Sequence, residues 1–360
     1  MKKNIMKKND NIFRINKYYI LIILFIISIF IIYKLIPDKT INDGNIPDVK
    51  WPFLNLKDEN GKNLNMLVVR AYFDNKKEEE DFLKYIDQGF KFIGCSSNQS
   101  FPRECDNPHG KCNKKENNKI NGKDIEDYVL GWCHCFKDPD KYIKKGIPRL
   151  LISESDFNSD GHLEYKTDVE IKYDYITVQP KDNDECNIGW AGYYKNWPLA
   201  EKCIKVFSDD LNLKGLVVGR DECPVNVKNK KNAETTGFLK YNDFIDKIRE
   251  SKFMLLPNLE EASPRILCEA LVLNKPVFVY ENILGGWKYV NNDTGIFFNE
   301  TNIKEKVEEL LRNMKNNKYS PREYYLNNYG IKNKGKELRD FLKGINPELS
   351  DCELVRFNTS

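Results

Sequence analysis

Residues 18–36 (YYILIILFIISIFIIYKLI) form the longest apolar run of the chain, and Lys34 is its one charge. At about 1.5 Å of rise per residue such a helix approaches the ~30 Å of bilayer hydrocarbon. The run has no polar face, so a buried soluble helix explains it poorly. Lys2, Lys3, Lys7, Lys8, Arg14 and Lys17 precede it against the single acid Asp10. The positive-inside rule then predicts a cytoplasmic N-terminus and the remaining chain across the membrane. A cleaved signal peptide is the alternative, but its apolar core is shorter and a small-residue cleavage site follows it. The segments expected are a tail at 1–17, an anchor at 18–36 and a polar stem at 37–60.

The pattern changes after the stem. Residues 64–72 (LNMLVVRAY) read as a buried strand, and 78–88 as a helix with Phe82, Tyr85 and Ile86 on one side. Residues 91–95, 128–135, 149–153 and 173–179 read as further strands. Beyond Pro180 the alternation is cleaner. Strands are expected at 186–191, 213–219, 253–257 and 276–280. Helices are expected from 198 to 207, at 241–251, at 264–273, and around Ile303, Val307, Leu310, Leu311 and Met314. Short apolar strands alternating with amphipathic helices predict parallel sheets covered by helices. The expected fold class is α/β, with two Rossmann-like domains facing a cleft, at 61–180 and 181–345, and a tail at 346–360.

Composition narrows the classes. The 360 residues are 41% hydrophobic and 31% charged, which excludes a disordered chain. A mean hydropathy of −0.61 excludes a polytopic membrane protein. Lys+Arg 57 against Asp+Glu 54 leaves no clustered basic excess, so a nucleic-acid partner is not expected.

Ten cysteines raise the question of compartment. They are Cys95, Cys105, Cys112, Cys133, Cys135, Cys186, Cys203, Cys223, Cys268 and Cys352. Beyond the membrane some would pair, in a pattern that spacing does not give. Cys133 and Cys135 are expected on one face of a strand. Cys105, His109, Cys112, Cys133, His134 and Cys135 offer enough ligands for zinc, but paired C-x2-C knuckles are lacking, and no metal site is expected. Sequons at Asn98, Asn292, Asn299 and Asn358 are permissive and carry little weight in an asparagine-rich chain.

Residues 251–280 (SKFMLLPNLEEASPRILCEALVLNKPVFVY) are the most informative stretch. A buried strand ends at Pro257, a polar loop follows, and Ser263 and Pro264 read as the N-cap and first residue of a helix. In a parallel sheet, ligands bind outside the carboxyl ends of the strands. A helix start there favours an anion, and Glu269 can accept hydrogen bonds from a diol. The stretch suits a ligand that is both phosphorylated and hydroxylated.

Glu261 and Glu269 in E-x7-E, followed by A-L-x-x-N-K-P-V and then Gly285, Gly286, Thr294 and Gly295, resemble the GT-B glycosyltransferases of the group 1 (GT4-like) class. The resemblance spans residues 186–342 and is weak before them. It implies a hexosyltransferase-like enzyme moving a sugar from a nucleotide-diphosphate sugar to a hydroxyl of a glycan, protein or lipid. Retention and metal independence are implied too, with no cofactor beyond the donor.

Residue by residue, the resemblance implies that Glu269 holds the ribose hydroxyls and Glu261 faces the donor sugar. Gly237, Phe238 and Leu239 match the base-binding segment, Gly219 a glycine near the nucleotide, and Lys195 the lysine that pairs with the diphosphate. Three departures stand out. Trp190 replaces an arginine five residues before Lys195, the usual E-G-F-G-L is E-A-S-P-R, and Arg265 is added. Arg265 is expected either to supply the missing diphosphate charge or to pair with Glu261 or Glu269. His134 is the expected first-half residue near the anomeric carbon, with Glu154 and Asp156 as rivals for acceptor contact. The other reading of the chain is a non-enzymatic membrane-anchored lectin, an inactive relative or an inverting GT-B enzyme.

Overall fold

A computed structural model describes residues 48–103, 119–158 and 163–358, together with Ile22. The expected anchor lies outside the described residues but for Ile22, and Cys105, His109, Cys112 and His162 lie outside them as well. Among the described residues no helix is long and apolar enough to cross a membrane.

The first half begins with β1 (Phe53–Asp58) and β2 (Asn63–Val69), an antiparallel pair. Helix α1 (Lys76–Asp87) starts on Asn75, whose side chain accepts from the Glu78 N–H at 3.2 Å. It buries Phe82 and leads into β3 (Lys91–Cys95). A small ladder of β4 (Lys119–Ile120) and β5 (Lys123–Asp124) precedes β6 (Val129–Cys133) and β7 (Arg149–Leu150). Strands β2, β3, β6 and β7 run parallel.

The second half begins with β8 (Tyr173–Val178), α2 (Trp190–Tyr194), α3 (Trp197–Lys205) and β9 (Gly215–Val218). It continues through β10 (Ala233–Thr236), α4 (Tyr241–Arg249), β11 (Ser251–Leu256), α5 (Arg265–Val272), β12 (Val277–Tyr280) and β13 (Gly295–Phe298). All neighbours in this sheet are parallel, in the order β10-β9-β8-β11-β12-β13. Counted from β8, that is 3-2-1-4-5-6, the doubly wound order with its switch point between β8 and β11. Two apolar layers cover the sheet: one holds Met254, Leu267 and Leu271, the other Phe207, Phe253 and Phe278.

Helices α6 (Ile303–Lys315), α7 (Pro321–Asn328) and α8 (Gly330–Ile345) close the chain. Leu338 and Leu342 of α8 enter the core of the first half beside Leu56, Met66 and Val68.

Several expectations need correction. The segment taken as the end of a stem contains β1, which buries Phe53 and Leu56 on opposite layers of the first sheet. The segment taken as a tail contains β14 (Val355–Phe357), which pairs antiparallel with β1 and completes the order β14-β1-β2-β3-β6-β7. β14 is three residues long and finds its partner, β1, at the other end of the chain, while β1 also pairs with the adjacent β2. The boundary expected at 180 lies too late, because β8 already occupies the middle of the second sheet.

The strand expected at 186–191 is instead a loop and the start of α2. There the Asp182 carboxylate accepts from the N–H groups of Gly189, Ala191 and Gly192 at 2.9, 2.6 and 2.7 Å. Those bonds occupy the donors a sheet would need. Cys133 and Cys135 lie in different core layers, since β6 ends at Cys133 and the alternation stops there.

Candidate active site

At the switch point the carboxyl ends of β8 and β11 open onto two loops that bond to each other. Lys195 ends α2, and Asn196 turns the chain with a left-handed φ of 55°. The Asn196 side-chain amide donates to the Pro257 carbonyl at 3.1 Å, and the Tyr194 carbonyl accepts from the Leu259 N–H at 3.1 Å. This brings Lys195 Nζ onto the Glu261 carboxylate as an ion pair. Asn258, which is buried, donates to the same carboxylate at 3.0 Å.

The loop is backed by Gly285, whose N–H donates to the Glu261 carbonyl at 2.8 Å. A Cβ at Gly285 would stand 2.0 Å from the Ala262 carbonyl oxygen, so only glycine fits that approach.

Ser263 does not cap α5. The helix starts at Arg265 with Pro264 at the cap position, and the Ser263 hydroxyl instead reaches the first half. It accepts from the Ser155 N–H at 2.9 Å and donates to the Ser155 hydroxyl at 3.0 Å. Arg265 pairs with neither glutamate of the motif. Its guanidinium meets the Glu154 carboxylate of the first half at 3.3 Å, with its own side chain 50% exposed.

Glu269 sits one turn into α5 and is 6% exposed. Burial pushes its carboxyl up to about 7, against the opposing pull of the Tyr241 hydroxyl, which donates to it, and of nearby Arg265. Tyr241 opens α4 and is itself exposed. Just before it runs the segment Gly237, Phe238 and Leu239. Phe238 is 74% exposed. Gly219, past the end of β9, has φ +89°, and a Cβ there would stand 3.2 Å from Pro180 Cα and 3.4 Å from the Phe238 ring. A Cβ at Gly237 would stand 3.2 Å from the Asp221 carboxylate. Leu239 packs into the core beneath. The result is an exposed aromatic face at a glycine-lined strand end, next to a buried carboxylate.

Farther out, loops 180–189 and 219–223 are tied by a disulfide between Cys186 and Cys223. Arg220 lies 3.7 Å over the Trp197 ring and donates to the carbonyls of Pro180 and Cys186. Cys95, Cys133, Cys135, Cys203, Cys268 and Cys352 are free thiols.

His134 stands just past β6 and is 6% exposed. Its Nδ1 has no hydrogen-bond partner among the described residues. Burial first, then Lys288 and Arg149, lowers its pKa to about 4, so the ring is neutral at pH 7. Glu154 and Asp156 are not free for an acceptor, since both are buried against the second half. Sequence reasoning missed Asn258, Tyr241, Ser155 and Lys288 as parts of the site. For Tyr241 a signal existed, because it follows the base-binding match by two positions.

No protein-family model matches the chain, and no curated protein sequence does. Solved structures do match in shape. S. aureus TarM, crystallised as a variant with fondaparinux, alpha-GlcNAc-glycerol and UDP, superposes at a TM-score of 0.53 with 14% identity, over 74% of this chain and 54% of that one. Anabaena HepE in complex with UDP gives 0.53 with 8% identity, over 77% and 79%. A glycosyltransferase from Rickettsia africae gives 0.51 with 14% identity, over 78% and 77%. The chain thus spans about half the length of the TarM structure it matches. It shares the two-domain GT-B fold of these glycosyltransferases.

Proposed function

We propose that this chain is a glycosyltransferase that moves a sugar from a nucleotide-diphosphate sugar to a hydroxyl acceptor. The observation that carries the reading is the pairing of Glu261 with Lys195 at the switch point, one helix turn and a loop from the buried Glu269. Neighbours of the same fold hold UDP, which fits a nucleotide-sugar donor and a glycan acceptor.

In this reading Phe238 stacks on the base, Gly219 and Gly237 let it approach the backbone, and Leu239 holds the segment down. Glu269 accepts from the ribose diol. The C1–O bond to the diphosphate breaks, a bond from C1 to the acceptor oxygen forms, and the proton of the acceptor hydroxyl passes to the oxygen of the departing diphosphate. Negative charge grows on the leaving diphosphate. Lys195 stabilises it once released from Glu261, which turns to the sugar hydroxyls. Arg265 adds a second cation at the mouth of the site, and His134 offers a neutral ring from the first half. Such a set of cations suits a metal-independent and, by its resemblance, retaining transfer. A type II anchor at 18–36 would place the site in an oxidising lumen, which the Cys186–Cys223 disulfide favours.

The test is a nucleotide-sugar hydrolysis and thermal-shift screen on the full chain in detergent, with and without EDTA. Hydrolysis of a donor, lost in Glu269→Ala, is expected. A chain that neither binds nor hydrolyses any nucleotide-sugar would favour the lectin reading.

A further inference from the structure

Ser153, Glu154, Ser155 and Asp156 are four consecutive polar residues, and all four are buried. They form the 3-10 turn Glu154–Phe157 and its cap, in the first half just ahead of the crossing to the second. Buried polar groups must be bonded, and the partners of this turn are informative.

Glu154 accepts from Arg70 of its own half at 3.0 Å and from Arg265 at 3.3 Å. Ser155 exchanges two hydrogen bonds with Ser263 and a third, at 2.8 Å, with the Tyr289 hydroxyl. Asp156 takes the Lys288 ammonium at 2.5 Å and the Tyr289 hydroxyl, and the side chains of the ion pair are 0% and 6% exposed. Asn158 donates to the Arg265 carbonyl at 3.2 Å. The partners beyond the first half fall into three groups: Ser263 and Arg265, which lie between Glu261 and Glu269; Lys288 and Tyr289, which follow Gly285 and Gly286 behind the same loop; and Tyr325 of α7, whose hydroxyl donates to the Ser155 and Asn158 carbonyls at 3.2 and 3.3 Å.

We infer that Glu154, Ser155 and Asp156 are positioning residues for the donor loop. They fix residues 261–265 and the first turn of α5 from the opposite half, so the geometry of Glu261 and Glu269 depends on how the halves are seated. Two features favour this over a merely cohesive interface. The bonds of Glu154, Ser155 and Asn158 to Ser263 and Arg265 reach the loop carrying the glutamates directly, and among the described residues none of the turn's side-chain bonds goes to the strands of the sheet beneath it. Ser263 and Arg265 also flank Pro264, which has no N–H, so the loop has fewer internal bonds to hold itself.

The inference rests on the proposed function only in its kinetic arm. The variants are Ser155→Ala, Glu154→Gln and Asp156→Asn in the full chain, with Asp140→Asn as a control. Asp140 is an exposed carboxylate of the first half, paired with Arg149. Hydrogen exchange at the amides of residues 265–270 is expected to rise about tenfold in Ser155→Ala and Glu154→Gln, with the amides of β2 and β9 unchanged. Donor hydrolysis should lose about 10- to 100-fold in kcat, and donor KM should rise as well, because the loosened turn of α5 carries Glu269, the proposed ribose ligand. Exchange at 265–270 equal to wild type in Ser155→Ala overturns the inference. So does a kcat loss no larger than the loss of folded protein. Were wild type inactive toward every donor, the functional reading would fall, and the exchange result alone would decide the positioning role.

Discussion

Lys195 Nζ and the Glu261 carboxylate form an ion pair between two loops that enter the site from different strands of the second sheet. Both side chains are largely shielded from water, at 18% and 13% exposure, so the pair is stronger than a surface one. It holds the cation at the switch point. In the proposed function a diphosphate takes the ammonium from Glu261, and sugar hydroxyls become the donors to the freed carboxylate.

Lys195→Ala should therefore lower kcat for donor hydrolysis by about 10²–10³, the loss found when one stabilising donor is removed from a developing anion. Its fold should persist, since Asn258 still donates to Glu261. Steady-state rates with a saturating donor check this. A kcat within threefold of wild type would remove Lys195 from the mechanism.

Glu269 gives a pH signature. Its carboxyl is raised by burial from the ordinary range to about 7. In the free protein the folded form keeps a proton that the unfolded form has lost, so stability falls as pH rises between the ordinary carboxylate range and about 7. A ribose diol donates with both hydroxyls, and most strongly, to the ionised form. Binding of a nucleotide-sugar should release about half a proton at pH 7, where the free carboxyl is half ionised, and affinity should rise toward pH 8. Titration calorimetry in buffers of different ionisation enthalpy measures the release. Glu269→Gln should abolish it, and a buffer-independent heat in wild type would contradict the assignment.

Phe238 is an exposed aromatic ring held against Gly219. Water gains little by covering it, so its loss should not unfold the protein. Phe238→Ala should leave Tm within about 1 °C and weaken nucleotide binding by about 5- to 100-fold, the range for losing one base stack. A drop in Tm with unchanged affinity would make the ring structural instead.

The second half was legible where an apolar strand leads into an amphipathic helix, as β11 leads into α5; β10 (Ala233–Thr236), which is polar, was not read as a strand, and neither was β13 (Gly295–Phe298). The E-x7-E stretch carried its own context: strand, loop, proline and helix follow within Ser251 to Tyr280. The first half was read less well for a physical reason. Strand β14 buries Phe357 by pairing with Leu56 of β1 at the other end of the chain, and periodicity in a short window does not see such a partner. The partners of Arg265 and Ser263 were missed for a related reason. Each side chain turned away from its own helix toward a turn in the other half.

The Cys186–Cys223 disulfide is the last feature to test, because it connects compartment to site. It closes a loop with a sequence separation of 37, and it joins the segments that follow β8 and β9. The chain-entropy account allows at most about 4 kcal/mol for a loop of this length. The stack of Arg220 on Trp197 and its bonds to Pro180 and Cys186 would hold part of that geometry after reduction. A smaller loss, of about 2 kcal/mol and a Tm fall of about 2–4 °C, is therefore expected for Cys186→Ser with Cys223→Ser. Nucleotide affinity should fall with it, because Gly219 sits between the tied loop and Phe238. Cys95, Cys133, Cys135, Cys203, Cys268 and Cys352 are already thiols, so among the described residues mild reductant acts at this bond. Wild type in reductant should match the double variant in both Tm and affinity. An unchanged Tm in the double variant would show that the loops hold themselves without the bond.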